Sequence, residues 1–305
     1  MRRERQVRAL ALATCLLGLG VVGVSAFLRL SGAGLGCADW PGCYGQVLAG
    51  VPSPAPWAGA RLLHRIVATS ALLMGVLLAW RCWRPQPLQP AARYASLLLA
   101  LMLLLSVVGV WSADPRQVAV NFINLVGGLG LVTFAWRVAI TSEPARLRER
   151  GAGGPVCRAA LASLTLAVLL GALIGARYAA PACGTLPACE GHWWPALQGW
   201  RALNPLDVLS SPSEPGEAGG MALHLLHRYA AALAAVLFAA VAFRQRRVPR
   251  ARNAALGVLA LLLLEGAIGV LGVAKGFPLG LAVAHNLGAA LLLAAAASLM
   301  HSIRK

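Results

Sequence analysis

Eight runs of about 20 apolar residues, each bounded by Arg, Pro or Gly, divide the chain. They lie at Val7–Leu28, Leu62–Trp80, Tyr94–Trp111, Val118–Trp136, Ala159–Ala176, Met221–Phe243, Ala254–Val273 and Leu279–His301. A helix of that length crosses a hydrocarbon layer about 30 Å thick, and at that depth only a helix satisfies its own backbone without open edges. The pattern therefore predicts an all-α fold, a polytopic protein of the lipid bilayer with eight transmembrane helices. Val7–Leu28 follows a basic stretch, as the core of a secretory leader would. Its apolar run exceeds the roughly 7–15 residues of such a core, so it is read as a retained first helix.

Charged residues make up 12% of the chain and hydrophobic ones 59%, too little charge to cover a soluble domain of 305 residues. The net charge of +17 would suit nucleic acid, but its distribution excludes that partner. With the N-terminus placed in the cytoplasm, 19 of the 27 Lys and Arg fall in inner segments, among them Arg137. That bias is topological. It predicts a multi-pass protein of the cell inner membrane with both termini cytoplasmic and the long Cys-bearing loops on the other side. The apolar exterior is compatible with a homo-oligomer.

The polar positions repeat. Leu62-Leu63-His64-Arg65 returns 163 positions later as Leu225-Leu226-His227-Arg228, Cys37 and Cys43 return at an offset of 146 as Cys183 and Cys189, and Asn124 corresponds to His285 at 161. Loops absorb the unequal offsets. The chain divides into an N-terminal four-helix half (1–140), a cytoplasmic linker (141–157) and a C-terminal four-helix half (158–305). Each half has an even number of spans, so the two predict a parallel repeat about an axis along the membrane normal.

His64, His227 and His285 each fall within about two turns of the outer end of a predicted helix, at a common depth. Ionisable residues inside a membrane are costly and point to function, and imidazoles on facing helices are ligands for haem iron. The competing reading is a polar helix–helix contact worth about 1 kcal/mol. Repetition of the His-Arg unit favours the ligand. Arg65 and Arg228 project from a different face, suited to haem propionates. His224 reads as a neighbour at the outer edge, and His192 and His301 as residues without a catalytic role.

Each outer cysteine pair encloses five residues, with Pro two before the second Cys. On an oxidising face this reads as the disulfides Cys37–Cys43 and Cys183–Cys189, either structural staples or redox-active pairs. Neither loop carries enough ligands for zinc, and Cys189-Glu-Gly-His192 lacks the spacing of covalent haem attachment. Cys15, Cys82 and Cys157 are expected as thiols. Glu265 is the one carboxylate inside a predicted span, either a proton carrier or a polar anchor. Asp39 and Asp114 read as loop carboxylates.

The stretches Phe27-Leu-Arg-Leu-Ser-Gly-Ala-Gly-Leu-Gly-Cys37-Ala-Asp-Trp-Pro-Gly-Cys43, Cys189-Glu-Gly-His-Trp-Trp-Pro195, His224-Leu-Leu-His227-Arg228 and Ala284-His285-Asn286 resemble the haem A synthase family over nearly the whole chain. The resemblance implies an oxidoreductase that converts the C8 methyl of haem O to a formyl group through hydroxylated intermediates, giving haem A for terminal oxidases. It implies haem b as cofactor between His227 and His285, and haem O as substrate at a catalytic His64. It also implies a haem O synthase and an electron acceptor as partners. Two departures stand out. The family's second N-terminal His, in a pattern like His-Leu-Leu-Gly-Gly, is here Asn124-Leu-Val-Gly-Gly128, and its Glu three residues before the His of helix two is here Arg61. Asparagine is a poor iron ligand, so iron held at His64 would keep an open face for chemistry or exchange. The departures keep two other readings open: a membrane b-type cytochrome that only passes electrons, and a haem carrier or assembly protein.

Overall fold

Eight helices long and apolar enough to cross a membrane dominate the computed structural model, which describes residues 2–34, 58–142, 154–211 and 213–302. They are α1 (Arg2–Gly32), α2 (Ala58–Trp83), α3 (Ala91–Val108), α4 (Val118–Thr141), α5 (Pro155–Ala176), α6 (Ala218–Arg244), α7 (Pro249–Ala274) and α8 (Leu279–Ser302). Short 3-10 turns at Gly109–Ala113, Ala180–Ala182 and Leu197–Leu203 complete the helical structure. The two isolated bridges, Gln117 with Val208 and Cys189 with His192, form no sheet among the described residues. The protein is all-α and polytopic. Cys37, Cys43 and Asp39, with most of the predicted linker, lie outside the described residues.

Several helices run past the apolar stretch that predicts them, because their ends are capped. Pro155 and Pro249 stand in the first turns of α5 and α7, where a missing N–H costs nothing. Glu217 caps α6 by accepting from the backbone N–H groups of Gly219 and Gly220, both at 2.7 Å. The cap starts α6 three residues before Met221 and changes the depth expected for its histidine. His64 and His285 lie six residues into α2 and α8, but His227 lies nine residues into α6, most of a turn further along its helix.

Between helices in lipid there is no water to expel, so close approach of small residues has to hold them together. The buried positions are accordingly rich in alanine: Ala11, Ala71, Ala135, Ala160, Ala234 and Ala255 are all fully or nearly enclosed. Leu73, Leu104, Val236 and Leu263 are exposed on the outside, where lipid would cover them. Sequence neighbours pack in order around each half, α1·α2, α2·α3 and α3·α4, then α5·α6, α6·α7 and α7·α8. The halves join where α4 meets α5 and α8, and where α1 meets α8. One pairing differs between halves: α1 packs along α4, but α5 has no comparable packing along α8.

Polar ties fix both ends of the bundle. Arg3 donates to the carbonyls of Arg81, Cys82 and Gln86, joining the start of α1 to the end of α2. Arg137, one of the basic residues of the inner segments, lies near the end of α4. It is buried, donates to the Ala297 carbonyl at 3.2 Å and to the Tyr94 hydroxyl, and lies 4.5 Å over the Tyr94 ring. Beside it, Trp136 donates to Ser298 Oγ at 2.7 Å. At the opposite end Arg29 donates to the Gly175 carbonyl at 3.0 Å, and Asn121 to the carbonyls of Pro115 and Ala176.

Candidate functional site

The second half brings two of the predicted histidines together. His227 comes from α6 and His285 from α8, with ring centroids 6.3 Å apart and planes at 82°. Each ring is held from behind by a neighbouring helix, and the two holders differ in kind.

His227 leans on α5. Its Nδ1 lies 2.8 Å from the Ala167 carbonyl oxygen, and a carbonyl can only accept, so Nδ1 carries the proton and Nε2 keeps its lone pair. One turn further, Gly171 leaves the space the ring occupies; a Cβ there would lie 3.1 Å from His227 Cε1 and 3.3 Å from Nδ1. His285 leans on α7. Its Nδ1 lies 2.7 Å from Oε2 of buried Glu265. At that distance the two atoms pair by charge and polarity, although the N–H is not aligned for a full hydrogen bond and neither atom has another hydrogen-bond partner.

His224, one turn before His227, shows the opposite tautomer. Its Nε2 lies 3.1 Å from the Ala179 carbonyl, so Nε2 is the protonated nitrogen and ties α6 to the 3-10 turn after α5. The ring is buried and lies 6.3 Å from that of Phe277. Arg228 turns toward the cysteine loop, donating from Nη1 to the carbonyls of Pro187 at 3.1 Å and Ala188 at 3.4 Å, while its buried Nη2 has no hydrogen-bond partner. Cys183 and Cys189 are bonded, with Cα atoms 5.2 Å apart, and close the loop that receives Arg228. Cys15, Cys82 and Cys157 are free and buried.

In the first half the predicted residues are not brought together in this way. His64 on α2 is half-buried, Arg61 and Arg65 beside it are exposed, and Asn124 on α4 is half-buried. Neither His64 nor Asn124 makes a side-chain hydrogen bond among the described residues. His192 joins Cys189 through the backbone, and His301 closes α8. No group of three or more His, Cys, Asp or Glu gathers among the described residues. Outside the spans, hydrogen bonds from Arg116 hold the Asp114 carboxyl below its ordinary value, and burial pushes the Tyr178 hydroxyl up. Asp114 is a loop anion paired with Arg116 at 3.0 Å.

Sequence reasoning missed Ala167, Gly171 and Gly288, which do not carry chemistry themselves. The available signal was spacing: Ala167, Gly171 and Gly175 are small residues four apart, and Gly288 lies one turn after His285.

The model of the cytochrome oxidase assembly protein family matches residues 8–57 and 120–297, well over half of the chain. Those segments include His227, Glu265 and His285 and pass over α2 with His64. A haem A synthase of Shewanella oneidensis is 30% identical over 303 residues, covering 92% of this chain and 91% of the relative. A haem A synthase of Shouchella clausii is 28% identical over 251 residues, covering 77% and 74%. That of Halalkalibacterium halodurans is 28% identical over 205 residues, covering 63% and 68%. Similarity along nearly its full length, together with the family match through the helices that carry the histidine pair, places this chain in the haem A synthase family.

Proposed function

We propose that this chain is a haem A synthase, an oxidoreductase that converts the C8 methyl of haem O to a formyl group, with haem b held in the second half and haem O taken by the first. The observation that carries the cofactor site is the spacing of His227 and His285. Two imidazoles that would share one metal ion, each through a bond of about 2.0–2.1 Å, must stand with their rings only several ångströms apart. The observed 6.3 Å fits that requirement.

Bound there, haem b would supply one-electron transfer. The chain's own groups do the rest. Ala167 fixes the His227 tautomer that leaves Nε2 free, and Glu265 orients His285. The unpartnered Nη2 of Arg228 suits a propionate, and its Nη1 contacts hold the guanidinium to the disulfide loop. In the first half His64 takes the substrate iron, while Asn124, a poor ligand, leaves the other face open. Arg61 stands where the family has Glu, so no carboxylate acts from that position. The reading places the protein in the inner membrane with both termini cytoplasmic, and a second disulfide at Cys37–Cys43. A haem O synthase provides the substrate, and an electron acceptor takes the electrons.

The test is co-expression with a haem O synthase and chromatography of the extracted haems. Haem A or its hydroxylated intermediate should appear. His64→Ala should abolish both while haem b remains. Cells that yield haem b alone from the unaltered chain would make it a b-type cytochrome, the reading that whole-length similarity to named synthases disfavours.

A further inference from the structure

Glu265 is the only acidic residue in α5 through α8, and it is 5% exposed. A lone carboxylate in that setting is expensive unless something holds it. Its Oε2 lies 2.7 Å from His285 Nδ1, and α8 is shaped to admit it. Gly288, one turn past His285, has the carboxylate against its backbone, and a Cβ at that position would overlap the carboxylate outright. On the other side the His285 ring passes Gly269, one turn past Glu265, where a Cβ would be in ordinary contact at 3.7 Å from Cε1. The missing side chain of Gly288 therefore shapes the seat of this one pair.

We propose that Glu265 is a positioning residue that holds the Nδ1–H of His285 and sets the electron-donating strength of that imidazole toward iron. The inference rests on the reading of His227 and His285 as paired ligands. A small rotation of the His285 ring aligns the contact, and two buried polar atoms with no other hydrogen-bond partner have every reason to make it. The resulting pair is asymmetric. His227 donates to a neutral carbonyl, whereas His285 donates to a carboxylate, which raises ligand basicity and favours the ferric state. A carboxylate serving only as a helix anchor would leave the iron unaffected.

The experiment measures the midpoint potential and low-spin ferric spectrum of haem b in purified full-length protein. Glu265→Gln keeps the shape and removes the charge, and should raise the potential at undiminished haem b content. Gly288→Ala keeps the glutamate but displaces it, and should raise the potential in the same direction. Glu265→Asp, which restores a carboxylate, should return part of the shift. An unchanged potential and spectrum in Glu265→Gln overturns the inference; if that variant does not accumulate, the same result in Gly288→Ala overturns it. Failure of the underlying reading looks different: the unaltered protein would hold no haem b, or His285→Ala would keep it with an unaltered spectrum.

Discussion

Gly171→Ala adds one methyl group beside His227, and the structure fixes what that methyl meets. The new Cβ would lie 3.1 Å from Cε1 and 3.3 Å from Nδ1, whereas carbon atoms rest comfortably at about 3.5–4.0 Å. The ring must therefore yield by about 0.4 Å at its closest point. Moving off α5 by that much stretches the 2.8 Å contact from Nδ1 to the Ala167 carbonyl toward the hydrogen-bonding limit of about 3.2 Å. Loss of such an outer partner costs about 10–100-fold in metal affinity, or about 1.4–2.7 kcal/mol. The helix itself gains, because Ala is favoured over Gly by about 0.8–1 kcal/mol. The two effects act on different quantities, so the variant should fold at least as well as the parent and hold haem b more weakly. The assay is transfer of haem b from purified protein to an excess of apomyoglobin, followed optically. Gly257→Ala on α7, where a Cβ meets nothing within 4 Å, is the control. A Gly171→Ala protein that releases haem b at the parental rate would refute the claim that the Ala167 carbonyl positions His227.

Two further substitutions probe the frame. Arg137→Leu removes two hydrogen bonds, each worth about 0.6–1.7 kcal/mol in a membrane protein, and a cation–π contact worth about 0.5–2 kcal/mol. It should lower stability by about 2–5 kcal/mol in detergent melts, with Tyr94→Phe losing a fraction of that; a melt like the parent's would count against the buried seam between α3, α4 and α8. His224→Leu leaves the Ala179 carbonyl without its side-chain donor, at about 1–3 kcal/mol, and should speed proteolysis between α5 and α6 without loss of haem b. Haem b lost on that change would refute the assignment of His224 as an anchor through Nε2.

All eight helices were legible in the sequence, because a membrane span has to be long and apolar and little else fits that pattern. Their ends were less so. The α6 boundary moved because Glu217, a residue outside the apolar run, reaches forward to cap it, and capping depends on side-chain geometry rather than hydropathy. Type and approximate depth singled out His64, His227 and His285, and the pairing of His227 with His285 came from the family resemblance. The partners of that pair were not legible: Ala167 acts through its backbone carbonyl, and Gly171 and Gly288 act through the side chain they lack. The partners of Arg137 were hidden for a related reason. Its place among the inner basic residues follows from hydropathy and charge, and only the fold puts the Tyr94 hydroxyl and the Ala297 carbonyl within its reach.

The contrast between the halves follows from what their glycines do. In the first half Gly18 lies against Val132, with 3.3 Å left for a Cβ, and Gly128 against Val22, with 3.4 Å, so glycine brings α1 and α4 together. In the second half Gly171 lies against the His227 ring and Gly288 against the Glu265 carboxylate, so glycine there admits polar side chains. The same residue type closes one half and furnishes the other. That division explains why α5 and α8 lack the packing seen between α1 and α4, and why the histidine pair with its supports belongs to the second half. It also sets the direction of approach in the first half. With α1 and α4 in contact, His64 stays half-buried on α2 beside exposed Leu62, Leu63 and Ile66, so in the proposed function haem O would reach it from the flank of the bundle rather than from between α1 and α4. Under that proposal, a substrate that must enter and leave is better served by the open flank than by an enclosed seat such as the one around His227 and His285.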